Sequence, residues 1–314
     1  MALVCIVDPI HPVGLTRIAA AHAVISPEGW RDDPRRADTE LLVVRTTDLS
    51  EALIAGMPRL KAIVKHGAGV DNIPIPAATA RGIMVANTPG GNNSTAVAEG
   101  AVALMLALLR QVREMDAAVR GNRWNARWTT RLGDLTGARV GLVGFGRIAR
   151  HVAKICGAGF GAEVAAYDPL VPGEDIRAAG VEPTDLAGVL ARDVISIHTP
   201  LTPETRGLIG AAELARMHAD AIIVNCSRGG IIDEAALVAA LTEGRIAGAG
   251  IDVFAQEPPP ADHPLLRLPN AILSPHMAGV TESGMKGMAL DVAQVIETIV
   301  AGHRPATLLN PEVC

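Results

Sequence analysis

The sequence predicts a protein of the α/β class that is built from two doubly wound parallel sheets. Short apolar runs alternate with helical or loop stretches along the chain, as strands joined by crossover helices do. Because parallel strands need such crossovers, the alternation implies sheets that are covered on both faces. Two long helical patterns, near 95–120 and 282–301, interrupt the alternation and mark the predicted crossings between domains.

Length and composition allow two globular domains. The chain has 314 residues, enough for two domains of about 100–200 residues each. Hydrophobic residues make up 49% and charged residues 19%, which excludes a disordered chain. Aromatic residues are only 2%, so the core must be built from Ala, Val, Leu and Ile.

Charge, cysteines and the N-terminus exclude several classes of protein. The net charge of −5 indicates neither a nucleic-acid surface nor a basic membrane patch. The four cysteines are scattered without a CxxC motif, so no metal site and no disulfide framework is predicted. The N-terminus lacks the basic start of a signal peptide. We therefore expect a soluble, cytoplasmic protein.

The first hundred residues predict a sheet whose loops gather at one edge. The candidate strands are Leu3–Val7, Leu41–Arg45, Ala62–Lys65 and Met84–Ala86, and candidate helices include Leu15–Ala21 and Ser50–Gly56. Three loops follow strand ends, at 8–11, 45–47 and 66–69. Ligands bind beyond the carboxyl ends of parallel strands, so these loops form the predicted substrate side.

A turn-rich linker, 87–93, leads into the first long helical pattern. Ser94 or Thr95 is the predicted N-cap of a helix that continues to about Arg120. The helix is apolar nearly all round at first, which indicates burial. The following segment, 121–137, is rich in Arg and Trp, and we interpret it as a surface connection or a subunit contact.

The alternation resumes beyond residue 137. The predicted strands are Ala138–Val143, Glu163–Tyr167, Val194–His198, Ala221–Asn225, Ala247–Asp252 and Ala271–Ser274. The predicted helices are 147–156, Ala211–His218, Asp233–Glu243 and 282–301, the last ending at Gly302. With the long helices as crossings, we place one domain at 1–98 plus 286–314 and an inserted domain at 99–285.

The stretch 140–168 has the pattern of a dinucleotide-binding site. A strand leads into Gly144 and Gly146, a helix starts at Arg147, and a second strand ends before Asp168, 22 residues after Gly146. Gly144 allows a tight turn, Gly146 leaves room for a pyrophosphate, and the helix start offers it N–H groups. Asp168 can bind a ribose 2′-OH and would repel a 2′-phosphate, so the predicted cofactor is NAD. The alternative is a glycine turn without a ligand.

Three residues beyond later strand ends have side chains suited to a nicotinamide enzyme. Such an enzyme needs a cation that holds the substrate, a proton donor or acceptor, and a group that tunes the latter. Arg228, Glu257 and His276 each follow a predicted strand. A guanidinium can hold a carboxylate with two hydrogen bonds, and a carboxylate stabilises a protonated imidazole. Singly, each also has a structural alternative: a surface Arg, a solvated Glu or a structural His.

Several blocks of this sequence resemble the D-isomer-specific 2-hydroxyacid dehydrogenase family. The blocks are NCSRGG at 225–230, GIDVFAQEP at 250–258 and SPHMAG at 274–279, together with the glycine fingerprint, HTPLT at 198–202 and NTPGGN at 87–92. The resemblance covers essentially the whole chain in order. Within the family, segments 45–47, 66–73 and 310–313 are most similar to the catalytic cores of D-3-phosphoglycerate dehydrogenases.

The resemblance implies a flavodoxin-like substrate domain with an inserted Rossmann NAD domain, and it implies residue roles. Arg228 would bind the substrate's carboxylate and carbonyl, His276 would be the general acid/base, and Glu257 would hold His276. The implied cofactor contacts are Gly144, Gly146, Arg147, Ile148, Asp168, Thr199, Pro200, Cys226, Ser227, Asp252, His276 and Gly279. The implied substrate contacts are Arg45, Gly67, Ala68, Gly69 and Arg228, with Arg45 meeting a distal phosphate.

The implied activity is hydride transfer between NAD(H) and a D-2-hydroxy acid or its 2-keto acid. One candidate pair is 3-phosphoglycerate and phosphohydroxypyruvate. The alternatives are a hydroxypyruvate or glyoxylate reductase, and a non-catalytic NAD-sensing binding protein of the corepressor type. The family is usually dimeric, so a homodimer is expected, without nucleic-acid or membrane partners. Because the sequence stops at Cys314, serine inhibition through a C-terminal regulatory domain is not expected.

Overall fold

The computed structural model describes residues 1–90 and 93–313. Residues 91–92 of the predicted linker and Cys314 lie outside the described residues. The chain divides into two compact units. Unit 1 comprises Met1–Ser94 with Val280–Cys314, and unit 2 comprises Thr95–Gly279.

Unit 1 contains a five-stranded parallel sheet. Its strands are β1 (Leu3–Ile6), β2 (Ala23–Ile25), β3 (Leu41–Val44), β4 (Ala62–Lys65) and β5 (Met84–Asn87). Their spatial order is β2-β1-β3-β4-β5, which is the flavodoxin-like order. The helices are α1 (Pro12–Ala21), α2 (Glu51–Ala55), α3 (Ile75–Ala80) and the last helix of the chain, α11 (Glu282–Val300).

Apolar side chains cover both faces of the unit 1 sheet. Every residue of β3 and β4 is buried, as expected for inner strands of a covered parallel sheet. On one face Val292 and Ile296 of α11 pack against strand residues such as Ile6. On the other face Ile63 packs in a cluster that includes Trp30. The two faces together account for the predicted core of aliphatic residues.

Unit 2 contains a seven-stranded parallel sheet. Its strands are β6 (Arg139–Val143), β7 (Glu163–Tyr167), β8 (Glu182–Pro183), β9 (Val194–Ile197), β10 (Ile222–Asn225), β11 (Gly248–Ile251) and β12 (Ala271–Leu273). The order β12-β11-β10-β9-β6-β7-β8 reverses direction between β9 and β6. This is the Rossmann order, and the reversal beside β6 is the point where such sheets bind ligands. The predicted α/β class with two parallel sheets is confirmed.

Seven helices belong wholly or mainly to unit 2. They are α4 (Asn93–Leu109), α5 (Val112–Arg120), α6 (Arg147–Lys154), α7 (Gly173–Ala178), α8 (Leu186–Leu190), α9 (Ala211–Leu214) and α10 (Glu234–Thr242). Val97, Met105 and neighbouring residues of α4 enter the same core cluster as Leu142 of β6. The predicted burial of this helix is therefore confirmed.

The single long helix predicted from 95 to 120 is wrong, because the chain breaks between α4 and α5. Gln111 has φ +45, and the two helices are bent by 54°. The carbonyl of Leu109 accepts the N–H of Gly133, and Gln111 donates its side-chain amide to the carbonyl of Arg131. The segment at 131–133 therefore satisfies backbone groups at the break. Among the described residues, no single helix is long and apolar enough to cross a membrane. By length and composition alone, only α4 and α5 taken together would be long and apolar enough.

Other differences concern short elements and helix starts. The elements β2, β8, α3, α7 and α8 were not predicted from the sequence. α1 begins three residues earlier than predicted, because Nδ1 of His11 caps it by accepting the N–H of Val13. α4 begins at Asn93, so the predicted cap at Ser94 or Thr95 is wrong. The predicted end of the last helix is confirmed, since Gly302 follows it with φ +81.

Candidate active site

The glycine turn after β6 is shaped by two opposite constraints. Gly144 has φ +90, and a β-carbon there would lie 2.9 Å from the carbonyl of His198 and from Cγ2 of Thr199. Only glycine fits such a position. Nothing lies within 4 Å of the β-carbon position of Gly146. The open space beside Gly146 is the room that a pyrophosphate needs, so these residues fit a dinucleotide.

The start of α6 presents free backbone donors next to this turn. Gly146 precedes the helix, and no side chain caps it. The first N–H groups of a helix, here those of Arg147 and Ile148, have no partner within the helix. Ala149, which takes the place of the third glycine, is fully buried and therefore still allows close packing of helix and strand.

Asp168 is joined to the glycine turn by its own carboxylate. It follows β7, and its Oδ2 accepts the N–H of Phe145 at 2.8 Å. Its Oδ1 accepts the N–H of Leu170 at 2.9 Å. Each carboxylate oxygen can accept a second hydrogen bond, so the group is held beside the turn and keeps capacity for a ribose hydroxyl.

The loop after β9 supplies the wall against which Gly144 packs. Burial lowers the pKa of His198 to about 4, so this imidazole is neutral. Oγ1 of Thr199 is buried and has no hydrogen-bond partner among the described residues. The carbonyl of Pro200 accepts the hydroxyl of Thr205 at 2.6 Å. The hydroxyl of Thr199 thus remains for a ligand at this end of the sheet.

Asn225 shapes the loop that carries Arg228. It is the last residue of β10, and its Oδ1 accepts both the N–H and the hydroxyl of Ser227, at 3.0 and 2.7 Å. Its Nδ2 donates to the carbonyl of Arg228 at 2.8 Å. Arg228 in turn donates through Nη1 to the carbonyl of Ser227 at 2.6 Å. One side-chain amide therefore determines the conformation of the predicted substrate-binding loop.

Cys226 lies in the same loop as a protonated thiol. Its burial, together with the charge of Asp252, raises the pKa of the thiol well above its ordinary value. Since a thiolate is the reactive form of cysteine, Cys226 is not a nucleophile. It contributes an apolar surface in the position predicted to face the nicotinamide.

Asp252 holds the loop that carries His276. It follows β11 and is almost completely buried. Its two carboxylate oxygens accept the N–H groups of Met277 and Ala278, at 2.8 and 3.0 Å, and its carbonyl accepts that of His276. His276 has φ +55, a conformation that non-glycine residues keep only where their surroundings determine it. Asp252 thus orients the histidine through the backbone of residues 276–278. The sequence predicted Asp252 only as a contact of the nicotinamide end.

His276 and Glu257 form an ion-pair contact, with Nδ1 of the histidine 2.7 Å from Oε2 of the glutamate. Oε1 of Glu257 accepts the N–H of Phe254 at 3.0 Å. Burial alone raises the pKa of the Glu257 carboxyl. The hydrogen bonds from His276 and Phe254 and the charges of His276 and Arg228 lower that pKa by more, so the net value lies below the ordinary one. Glu257 is therefore a carboxylate at neutral pH and accepts the Nδ1 hydrogen, which leaves Nε2 of His276 to exchange a proton with a substrate.

The pair lies at the wall of an apolar pocket of about 400 Å³. Besides His276, Glu257 and Ser274, its lining consists of Phe254, Pro258, Pro259, Leu266, Leu273 and Pro275. Gly279 lies in the loop between β12 and α11. The charge of Arg228 acts on the carboxyl of Glu257, so the cation lies near the His276–Glu257 pair in unit 2.

The predicted substrate residues of unit 1 lie in loops at the carboxyl ends of β3 and β4. Asp8, which follows β1, accepts the N–H groups of Arg45, Thr46 and Thr47 at 2.7 to 3.1 Å. It also accepts both threonine hydroxyls. The backbone of the Arg45 loop is therefore held by one buried carboxylate, while the Arg45 side chain is half-buried.

The glycine loop 67–69 has only part of its backbone available. Gly67 donates its N–H to Oγ1 of Thr88, and the carbonyl of Ala68 accepts Nδ2 of Asn87. The N–H groups of Ala68 and Gly69 have no partner among the residues that the structure describes. A substrate carboxylate can therefore meet these two amides and not that of Gly67.

Sequence reasoning missed the contacts by which Asp8, Asn225 and Asp252 orient the loops. Asp8 and Asn225 accept backbone N–H groups and hydroxyls of loop residues, and Asp252 accepts backbone N–H groups. Each stands at or just after the end of a buried strand, which is the one sequence signal that marks them. A polar residue at such a position can cap the loop of the neighbouring strand, but the sequence does not show which backbone groups it meets.

Comparison with known proteins identifies the class that this fold and site define. Residues 102–278 match the model of the NAD binding domain of D-isomer specific 2-hydroxyacid dehydrogenases. The chain belongs to that family, and the predicted NAD cofactor agrees with it.

The relatives include enzymes of two names. A D-3-phosphoglycerate dehydrogenase of Methanocaldococcus jannaschii is 38% identical over 99% of this chain and 60% of its own length. A glyoxylate reductase of Korarchaeum cryptofilum is 42% identical over 90% of this chain and 89% of its own length. A solved NADPH-dependent glyoxylate/hydroxypyruvate reductase of Sinorhizobium meliloti has a TM-score of 0.87 at 28% identity and covers 100% of this chain and 99% of its own. The chain spans about half to three-fifths of the phosphoglycerate dehydrogenases that it matches.

Proposed function

We propose that this chain is an NAD-dependent oxidoreductase that interconverts a D-2-hydroxy acid and its 2-keto acid. The observation that carries the proposal is the 2.7 Å contact between Nδ1 of His276 and Glu257, with Arg228 close enough to lower the pKa of the same carboxyl. A cation, a carboxylate and an oriented imidazole are what reduction of a keto acid requires.

The residues divide the chemistry between them. The guanidinium of Arg228 binds the substrate carboxylate and polarises the keto oxygen. Nε2 of His276 gives that oxygen a proton during reduction and removes it from the hydroxyl during oxidation. Glu257 stabilises the protonated ring and fixes its orientation. NAD, when bound, supplies or accepts the hydride.

The cofactor contacts that we propose follow the fingerprint. The amides of Arg147 and Ile148 hold the pyrophosphate beside Gly146, and Asp168 holds the adenosine ribose. Thr199 and Pro200 line the adenine side. The nicotinamide end would meet Cys226, Ser227, Asp252, His276 and Gly279.

The substrate is proposed from the two named groups of relatives. Phosphohydroxypyruvate would place its phosphate on Arg45 and its carboxylate on the amides of Ala68 and Gly69. Hydroxypyruvate and glyoxylate have no distal phosphate and would not need Arg45. If substitution of Arg45 changes KM for the phosphorylated acid and not for the others, the phosphorylated acid is the favoured substrate.

The test is a substrate panel with NADH. We expect NADH oxidation with at least one of phosphohydroxypyruvate, hydroxypyruvate, glyoxylate and pyruvate. Arg45→Gln should raise KM for phosphohydroxypyruvate alone, and Arg59→Gln, at an exposed site of the same unit, is the matched control. Tight NADH binding without turnover of any acid would favour the NAD-sensing binding protein instead.

We further propose a cytoplasmic homodimer, with a substrate domain at 1–98 plus 286–314 and an NAD domain at 99–285. The dimer proposal is supported by Trp124 and Trp128, which are exposed large apolar side chains in the segment interpreted as a subunit contact. Sedimentation at micromolar concentration tests it, and a monomer there would contradict it.

A further inference from the structure

A second histidine–carboxylate pair is attached to the loop that carries Glu257. Glu234 is the first residue of α10, and its Oε1 accepts the N–H of Ala255 at 2.6 Å. Its Oε2 lies 3.1 Å from Nε2 of His263. The ring of His263 stands edge-on to that of Phe254, with centroids 6.0 Å apart. Glu234 therefore contacts both Ala255, near the beginning of this loop, and His263, near its end.

The two pairs meet at consecutive backbone amides. Phe254 donates its N–H to Glu257, and Ala255 donates its N–H to Glu234. The peptide unit that carries the N–H of Ala255 also carries the carbonyl of Phe254. Its orientation therefore sets the path of the chain from Phe254 to Glu257.

The same peptide unit lies directly on Gly229. A β-carbon at Gly229 would be 1.9 Å from the carbonyl of Phe254 and 2.4 Å from the nitrogen of Ala255. Only glycine therefore fits at position 229, where the two backbone segments touch. Gly229 directly follows Arg228 in the chain. A shift of this peptide unit would disturb the positions of both Arg228 and Glu257.

The second pair is enclosed, whereas the first is accessible. The side chains of His263 and Glu234 are 14% and 21% exposed, against 45% and 38% for His276 and Glu257. Nδ1 of His263 is buried without a partner among the described residues. This arrangement suits the neutral tautomer with its hydrogen on Nε2, where it is donated to Glu234.

We propose that Glu234 and His263 are positioning residues that hold the 254–257 loop so that Glu257 reaches His276, a role that rests on the function proposed above. Neither side chain needs to touch substrate or cofactor. Glu234 acts through the amide of Ala255, and His263 keeps the carboxylate of Glu234 directed at that amide.

A double-mutant cycle with Glu257 tests this chain of contacts. Glu234→Ala should lower kcat by roughly 10- to 100-fold, since a displacement of about 1 Å in an active site has effects of that size. NADH affinity should not change. In a Glu257→Gln background the same substitution should have no further effect on kcat, because residues that act through one another are not additive. Equal loss in both backgrounds would show a general structural role and overturn the proposal.

Conservative variants give an independent readout. Glu234→Gln keeps an oxygen for Ala255 and should retain most activity. Glu243→Ala, on an exposed acid just beyond the end of α10, is the control and should behave as wild type. A loss of kcat in Glu234→Gln as large as that in Glu234→Ala would contradict the proposal.

A measurement without turnover separates this proposal from the proposed function. Nitrogen NMR of histidine-labelled protein reports the Nδ1 hydrogen bond of His276, with the signal assigned through its loss in His276→Gln. We expect Glu234→Ala and His263→Phe to move that signal towards its position in Glu257→Gln. An unchanged signal would overturn the positioning role, whether or not the wild-type protein turns over a keto acid.

Discussion

The carboxyl edges of the two sheets carry similar residue types but use them differently. In unit 2 the loops present an open glycine turn, a carboxylate beside it and a half-exposed His276–Glu257 pair. In unit 1 two titratable side chains at this edge, Asp8 and His66, are buried: Asp8 is 8% exposed and caps the loop of the neighbouring strand. His66 is 2% exposed, and burial together with Arg45 lowers its pKa to about 4.

The difference teaches that a strand-end position does not by itself define a ligand site. A charged group that is buried and fully hydrogen-bonded to backbone stabilises a loop, and its loss costs folding free energy. A group that keeps hydrogen-bond capacity and access to solvent can act on a ligand. Substitution of a buried, backbone-bonded group such as Asp8 should therefore change stability, whereas substitution of an accessible group such as His276 should change activity.

The largest effect is expected at His276. His276→Gln should lower kcat by about 10²–10⁴-fold, because it removes the proposed general acid/base. Affinity for NADH, measured by fluorescence titration, and the unfolding midpoint should stay close to wild type. Full activity in this variant would refute its role.

The second largest effect is expected at Asp8. Asp8→Ala should lower the free energy of unfolding by on the order of 3 kcal/mol, because three backbone N–H groups lose a charged acceptor. Urea denaturation measures it, with the exposed Asp48→Ala in the next loop as the control. If the two variants were equally stable, the buried carboxylate would not be the support that its contacts indicate.

A smaller effect is expected at Asp168. Asp168→Ala should weaken NADH binding by about tenfold, or about 1.4 kcal/mol, and reduce the preference for NADH over NADPH. Part of the loss will come from the turn, because the same carboxylate holds the N–H of Phe145. Asp175→Ala, at an exposed position of α7, serves as the control, and an unchanged cofactor ratio in Asp168→Ala would argue against the ribose contact.

The smallest effect is a dependence of stability on pH that arises from Asp8. Burial raises the pKa of Asp8, but the hydrogen bonds from residues 45–47 lower it by more, so its folded-state pKa lies below the ordinary 3.8. Its contribution to stability is therefore complete above pH 3.8 and is lost as pH falls through the folded-state value. Wild type should lose stability below pH 3.8 more steeply than Asp8→Asn in urea titrations. Parallel curves would contradict this linkage.

Much of the architecture follows from local patterns. Buried strands such as β3, β4 and β10 appear as short apolar runs, and their parallel order follows from the alternation with helices. Short elements were missed for a local reason: β8 has only two residues, one of them Pro183. The break at Gln111 was missed because neither Gly nor Pro marks it, and the stabilising contacts come from residues 131–133.

The sequence by itself determined the class of fold and the glycine fingerprint, because both depend on residue type and order along the chain. Its resemblance to the 2-hydroxyacid dehydrogenase family singled out Arg228, Glu257 and His276 as candidate site residues. Only the tertiary structure decided which groups meet. The 2.7 Å contact of His276 with Glu257, the two amides held by Asp252 and the enclosed pair of Glu234 and His263 all join residues that are 19 to 29 positions apart. Hydrogen bonds require distances within a few tenths of an ångström. Spacing along a chain cannot specify such distances, whereas the packing of neighbouring strands does.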